Sequence, residues 1–167
     1  VGKHHEKEIR ETEKVYGLKS KMLLKYGFGR LDTLLDEKQQ FQRNNVDTEK
    51  LIIITPSYGK DNLLEICGVE IIETLLRADF KVLLRPHFRI LKDCKKTIKT
   101  IQESFGNHPN FTLEEGVIPP EKFCNSKCVI SDWSGISLEY AFVMERPVLF
   151  IDTPKKILNQ HSEDITL

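Results

Sequence analysis

Short apolar runs, each stopped by a proline or a polar turn, recur along this chain at intervals too long for hairpins. Leu51-Ile52-Ile53-Ile54-Thr55 is continuous and mostly β-branched, and it ends at Pro56. Lys81-Val82-Leu83-Leu84 ends at Arg85-Pro86, a short run follows over Phe111 to Leu113, Cys128-Val129-Ile130 ends at Ser131, and Pro147 to Ile151 closes the series. Runs that are apolar at nearly every position, rather than at alternate ones, read as strands covered on both faces. Between the first two runs, Leu64, Cys67, Ile71, Ile72, Leu75 and Leu76 recur at helical spacing and predict a helix ending near Ala78. Further helices are predicted from about Leu91 to Phe105, from Pro120 through Cys124, and from Ser134 to Glu145 with Ile136, Tyr140, Val143 and Met144 inward. Strands that alternate with helices of this length join in parallel through right-handed crossovers. The expected fold class is therefore α/β, a Rossmann-like parallel sheet with helices on both faces.

Ahead of that series, residues 3 to 15 are charge-rich and predict an exposed or linking helix ending at Gly17. Lys21 to Tyr26 reads as a short strand, Gly27-Phe28-Gly29 as a turn, the stretch marked by Leu31, Leu34 and Leu35 as a short helix, and Gln39 to Glu49 as a polar loop. The charged, abrupt opening suggests a piece of a longer protein. Residues 1–26 are accordingly expected to be a linking helix and strand from a preceding domain, and 27–167 the Rossmann-like domain.

Charge excludes some classes of function. Lys and Arg number 25, as do Asp and Glu, so the formal net charge is zero. A nucleic-acid binder driven by counterion release carries a basic excess, so no nucleic-acid partner is expected. No apolar run approaches the ~20 residues that span a bilayer. The basic stretch Lys92 to Lys99 reads either as a solvated helix face or as a peripheral contact with anionic lipid. Cys124 and Cys128 are spaced C-x3-C, but no second Cys/His pair completes a zinc site. With Cys67 and Cys94 they read as reduced apolar fillers, which suits a cytoplasmic setting. No metal cluster is expected.

In an open parallel sheet, ligands sit beyond the carboxyl ends of the strands. The first strand delivers Thr55, Ser57 and Tyr58 there, the second Arg85 and His87, the fourth Ser131, Asp132, Ser134 and Gly135, and the fifth Asp152 to Lys156. Ser131 or Ser134 is expected to cap the following helix, and Gly135 to let a ligand approach the backbone. Free N–H groups and the helix dipole then favour an anion. Asp132 opposes a bare phosphate and suits capping of backbone N–H groups, or accepting from a sugar or base. Glu139 either accepts from ribose hydroxyls or pairs with a cation on the helix surface. Arg85 and His87 flank Pro86 on a fixed backbone, where guanidinium and imidazole suit charge growing on a departing phosphate. Their plainer readings are an ion pair and a half-buried histidine. No P-loop, G-x-G-x-x-G or G-x-S-x-G pattern is present.

Taken in order, Thr55-Pro56-Ser57-Tyr58, Arg85-Pro86-His87, Ser131-Asp132-Trp133-Ser134, Glu139-Tyr140-Ala141 and Arg146-Pro147-Val148 resemble the carboxyl-terminal domain of the CDP-glycerol glycerophosphotransferases. These are teichoic-acid-type polymerases and primases with a GT-B fold. Gly27-Phe28-Gly29-Arg30-Leu31-Asp32 resembles the G-x-P-R-x-D turn found where those enzymes pass between domains. The resemblance implies one half of a GT-B fold that binds a nucleotide-activated donor such as CDP-glycerol. It implies donor contacts at Thr55, Ser57, Ser131, Asp132, Ser134, Gly135 and Glu139, with the diphosphate on the helix starting at Ser134. Arg85 and His87 would assist departure of the nucleotide, without a metal or other cofactor. The acceptor, a cell-surface polymer, and the catalytic base would belong to a preceding domain, leaving this unit inactive alone. The parent protein would be cytoplasmic, at or near the inner face of the membrane. Tyr58-Gly59 stands where the family has Trp-Arg, Phe88 where it has Pro, Gly135 where it has a second Ser, and Glu139 where Asp is more usual. Donors other than CDP-glycerol therefore stay open, as do a UDP-sugar 2-epimerase-like domain and a non-catalytic Rossmann-like module.

Overall fold

The apolar runs form one parallel sheet. The structure, a computed structural model, describes residues 2–42 and 50–156. Its strands are β1 (Leu51–Thr55), β2 (Lys81–Leu84), β3 (Phe111–Leu113), β4 (Cys128–Ser131) and β5 (Val148–Phe150), in spatial order β3-β2-β1-β4-β5. The helices are α1 (Lys3–Val15), α2 (Gly29–Gln42), α3 (Leu63–Arg77), α4 (Phe88–Asp93), α5 (Lys95–Phe105), α6 (Pro120–Asn125) and α7 (Ile136–Met144).

Alternation along β1 splits the core into two layers. Ile52 and Ile54 pack with α3, α4 and α5, whereas Leu51 and Ile53 pack with α2, α6 and α7. All five residues of β1 are buried, which is why its sequence shows no polar alternation. β5 is an edge strand, and its Leu149 and Phe150 stay about half exposed.

On the α7 side the largest fully buried side chain is Tyr140. Its hydroxyl donates to the Ser126 carbonyl at 3.0 Å and accepts from Ser126 Oγ at 3.1 Å. The ring meets Phe123 edge-on at 5.0 Å. Tyr140→Phe is expected to cost about 1–2 kcal/mol, read as a lower urea midpoint at unchanged slope.

Several local expectations are corrected. Lys21 to Tyr26 is no strand: it is not among the five strands of the sheet, and Met22, Leu24 and Tyr26 are exposed. The helix marked by Leu31, Leu34 and Leu35 runs for 14 residues, taking in Gln39 to Gln42 from the expected loop; residues 43–49 lie outside the described residues. The single helix expected from Leu91 to Phe105 is two, because His87 caps a new helix at Phe88 and the chain leaves helical geometry at Cys94. All four cysteines are free, and burial pushes each thiol above its usual pKa, as expected of apolar fillers.

Candidate functional site

The β1–α3 loop leaves the centre of the sheet and is held by a residue from β4's end. Asp132, buried at 4% exposure, accepts the Ser57 N–H on Oδ1 at 2.6 Å and the Leu63 N–H on Oδ2 at 3.2 Å. Of its two sequence-based roles, the capping one is therefore observed. Asn62 supplies the rest of the α3 cap by accepting the Leu64 N–H at 3.0 Å and pairing with Glu65 in a capping box. The Asp132 charge is met by Lys156, whose Nζ lies 3.6 Å away and also donates to Ser57 Oγ at 2.5 Å and the Tyr58 carbonyl at 2.6 Å. Gly59 takes a left-handed φ of 101° beside that lysine, a conformation that suits glycine.

The start of α7 corrects a second expectation. Neither Ser131 nor Ser134 caps the helix: Ser131 Oγ donates instead to the Thr55 carbonyl at 2.7 Å, and no side chain caps the first turn. The N–H groups of Ser137, Leu138 and Glu139 reach the carbonyls of Ser134 and Gly135. Those of Ser134, Gly135 and Ile136 have no acceptor among the described residues. Gly135 is exposed in ordinary helical geometry, φ −63° and ψ −24°, and a Cβ there would meet nothing within 4 Å. The helix end is therefore polar, positive and open. Register sets Thr55 opposite Ser131 on the face shared with α7, and the Thr55 hydroxyl is buried at 1% exposure with no hydrogen-bond partner among the described residues.

Arg85 is half-buried, and its Nε donates to the Gly116 carbonyl at 3.2 Å rather than to a carboxylate. His87 Nδ1 accepts the Arg89 N–H at 3.2 Å, which leaves the ring proton on Nε2. The imidazole packs on Tyr58 at 4.8 Å, and Arg89 lies over the same tyrosine at 4.7 Å. Burial, then the charges of Arg85 and Arg89, hold the His87 pKa below its usual 6.5, so the ring is neutral at pH 7. As a neutral ring it donates a hydrogen bond; acting as a general acid requires an anion nearby to charge it.

Glu139 pairs with Arg30, Nε to Oε2 at 2.7 Å, across 109 residues of sequence. Its surface-pair reading is observed, with a partner from the first turn of α2.

Three openings surround this edge. The largest, about 530 Å³, is lined by Ser57, Tyr58, Lys60, Trp133, Lys155 and Lys156, among others. One of about 350 Å³ lies over Asp132, Ser134 and Gly135. One of about 210 Å³ includes Arg30, Arg85, Val117 and Ile118 in its wall. The site residues expected from sequence thus share one edge of the sheet but divide among neighbouring cavities. Sequence reasoning missed Lys156 and Arg30 as partners, since both act at long range.

Whether this edge belongs to a known group is decided by the whole sequence. The family described as CDP-Glycerol:Poly(glycerophosphate) glycerophosphotransferase matches residues 1–162. The chain belongs to that family. No curated protein matches this glycerophosphotransferase-family chain. Among solved structures it is similar to the UDP-GlcNAc 2-epimerase of Methanocaldococcus jannaschii in complex with UDP-GlcNAc and UDP. The two share 16% identity with a TM-score of 0.58 over 86% of this chain and 43% of that one. The UDP-GlcNAc 2-epimerase of Neisseria meningitidis bound to UDP-GlcNAc aligns at 22% identity and a TM-score of 0.49, over 72% of this chain and 34% of that one. The glycerophosphotransferase-family chain therefore spans less than half the length of either. The M. jannaschii likeness shows the fold, a Rossmann-like parallel sheet that forms one half of the GT-B arrangement. Among the described residues no helix is long and apolar enough to cross a membrane.

Proposed function

We propose that this domain binds the nucleotide-activated donor of a glycerophosphate transfer, CDP-glycerol or a related nucleotide diphosphate. The acceptor in that transfer is a cell-surface polymer. The observation that carries the reading is the open start of α7: among the described residues the N–H groups of Ser134, Gly135 and Ile136 have no acceptor, and a Cβ on Gly135 would meet nothing within 4 Å. A diphosphate supplies the acceptors those groups lack. Asp132, which by itself would repel it, is turned to the Ser57 and Leu63 N–H groups and neutralised by Lys156. An unpartnered buried hydroxyl costs about 1–3 kcal/mol, so the Thr55 side chain favours a polar group arriving on its face.

In this reading the diphosphate lies over Gly135, while Arg85 and the Nε2–H of His87 face the departing nucleotide. The nucleoside enters beside Arg30 and Val117, where Glu139 exchanges Arg30 for ribose hydroxyls. Ser57 and Ser131 shape the loop behind the phosphates. No metal takes part, so a chelator leaves binding unchanged. Residues 1–26 belong to the preceding domain, which brings the acceptor and the base, so this domain alone turns nothing over. The parent enzyme works in the cytoplasm at the inner face of the membrane.

Isothermal titration with CDP-glycerol, CDP, UDP and UDP-GlcNAc tests the reading, with cytidine ligands expected to bind more tightly. No heat from any of them at millimolar ligand overturns it. A preference for UDP turns it toward a 2-epimerase-like domain, since the M. jannaschii protein is in complex with UDP-GlcNAc and UDP. Binding that survives both Gly135→Leu and Arg85→Ala points to a non-catalytic module.

The reading also fixes the sign of a pH effect. His87 titrates below 6.5 when free, and a bound anion raises its pKa, so binding takes up a proton. Affinity for CDP-glycerol, whose phosphodiesters do not titrate near neutrality, is expected to rise as pH falls from 8. It should level off below the free His87 value. In His87→Gln the dependence should vanish.

A further inference from the structure

The 530 Å³ cavity holds more positive charge than the fold uses. Of its three lysines, Lys156 is committed to Asp132 and the Ser57–Tyr58 loop. Lys60 and Lys155 are exposed, and neither has an acidic partner among the described residues. Among the described residues Asp61 is the one acid in the wall, against those two ammonium groups. The chain's net charge is zero, so the surplus is local.

The rest of the wall suits a small polar, anionic unit. Trp133 lines both this cavity and the one over Gly135, so it stands between them. Its position is fixed, because the indole Nε1 donates to the Thr153 carbonyl at 3.2 Å. Gly59 presents no side chain to the floor, and its left-handed φ keeps a larger residue out. Tyr58 forms another side and packs against His87 on its other neighbour. A volume of about 530 Å³ lies within the usual range for small-ligand sites, roughly 300–1,000 Å³, and exceeds the needs of a single phosphate.

We propose that this lysine-lined cavity is a second subsite that takes one glycerophosphate unit, its phosphodiester between Lys60 and Lys155 and its glycerol against Trp133. This rests on the donor reading, because it places the unit next to the diphosphate pocket. Both donor phosphates lie over Gly135 in that reading, so the unit held here belongs to the acceptor polymer that the preceding domain delivers.

The test compares the chain with Lys60→Met/Lys155→Met, two exposed positions whose change should leave the thermal midpoint unaltered. Three probes are titrated: CDP, CDP-glycerol and a synthetic glycerophosphate oligomer of a few units. Loss of two phosphate-facing ammonium groups is expected to weaken the responding ligand about tenfold. If CDP-glycerol weakens while CDP does not, the cavity takes the donor's glycerol and the proposal is overturned. If the oligomer weakens while both nucleotides do not, it holds the acceptor. Equal weakening of CDP and CDP-glycerol, or no change in any ligand, overturns the proposal. CDP binding to both proteins with no ligand weakened by the double substitution sinks the subsite and leaves the donor reading standing. Silence toward all three probes sinks the donor reading itself.

Discussion

Replacing Asp132 with alanine is expected to lower the folding stability by about 4 kcal/mol, out of a total that for a single domain is about 5–15 kcal/mol. The carboxylate has no exposed atom in its side chain, and both oxygens are used. Hydrogen bonds to a charged acceptor are worth about 1.5–3 kcal/mol each, and two N–H groups lose theirs. The Ser57 N–H is buried and the Leu63 N–H opens α3, so water replaces the carboxylate poorly at either. Lys156 loses its counter-charge as well, although at 17% side-chain exposure it can turn outward and recover hydration. Asp132→Asn keeps the shape and one acceptor oxygen, and about half the loss is expected. Urea denaturation followed by circular dichroism checks both, with the alanine midpoint lower by about 2 M at a slope near 2 kcal/mol/M. Midpoints equal to that of the unaltered chain would show that the carboxylate holds nothing.

Gly135→Leu should do the reverse, sparing the fold and weakening the ligand. The backbone there is ordinary right-handed helix and a Cβ meets nothing within 4 Å, so the side chain enters open space at little cost. That space is where a diphosphate would meet the N–H groups of Ser134, Gly135 and Ile136. Losing two charge-assisted hydrogen bonds of about 1.5 kcal/mol each corresponds to roughly a 100-fold weaker affinity. Calorimetry with CDP-glycerol reads the affinity and differential scanning fluorimetry the fold. Unchanged affinity at an unchanged melting point would move the phosphates away from α7. This substitution separates binding from folding, which Asp132→Ala cannot do.

The sheet was readable because its strands are buried on both faces. Leu51 to Thr55 and Lys81 to Leu84 needed only their own residues to declare themselves. Lys21 to Tyr26 has a strand's composition and failed because a strand is defined by its neighbour, which no local pattern supplies. The break at Cys94 was hidden by a stripe that continues through it, since Ile90, Ile98 and Ile101 all face the same core. At the edge, the sequence brought the right residue types together but misplaced their bonds. Ser131 and Ser134 looked like caps because serine at a helix start usually is one, whereas the neighbouring strand's Thr55 carbonyl takes Ser131 first. The Arg30–Glu139 and Lys156–Ser57 contacts span 109 and 99 residues and leave no trace in local spacing.

That last separation has a consequence for the order of assembly. The Ser57 loop is synthesised early, yet the cation that fastens it arrives 99 residues later. At about 5–20 residues per second on the ribosome, the loop and the unneutralised carboxylate of Asp132 are made seconds apart from their common partner. Long-range closures of this kind form late, after the entropy of the intervening chain has been overcome. The polar edge is therefore among the last parts of the molecule to mature, and a nascent chain stopped short of Lys156 would carry its sheet without a finished mouth.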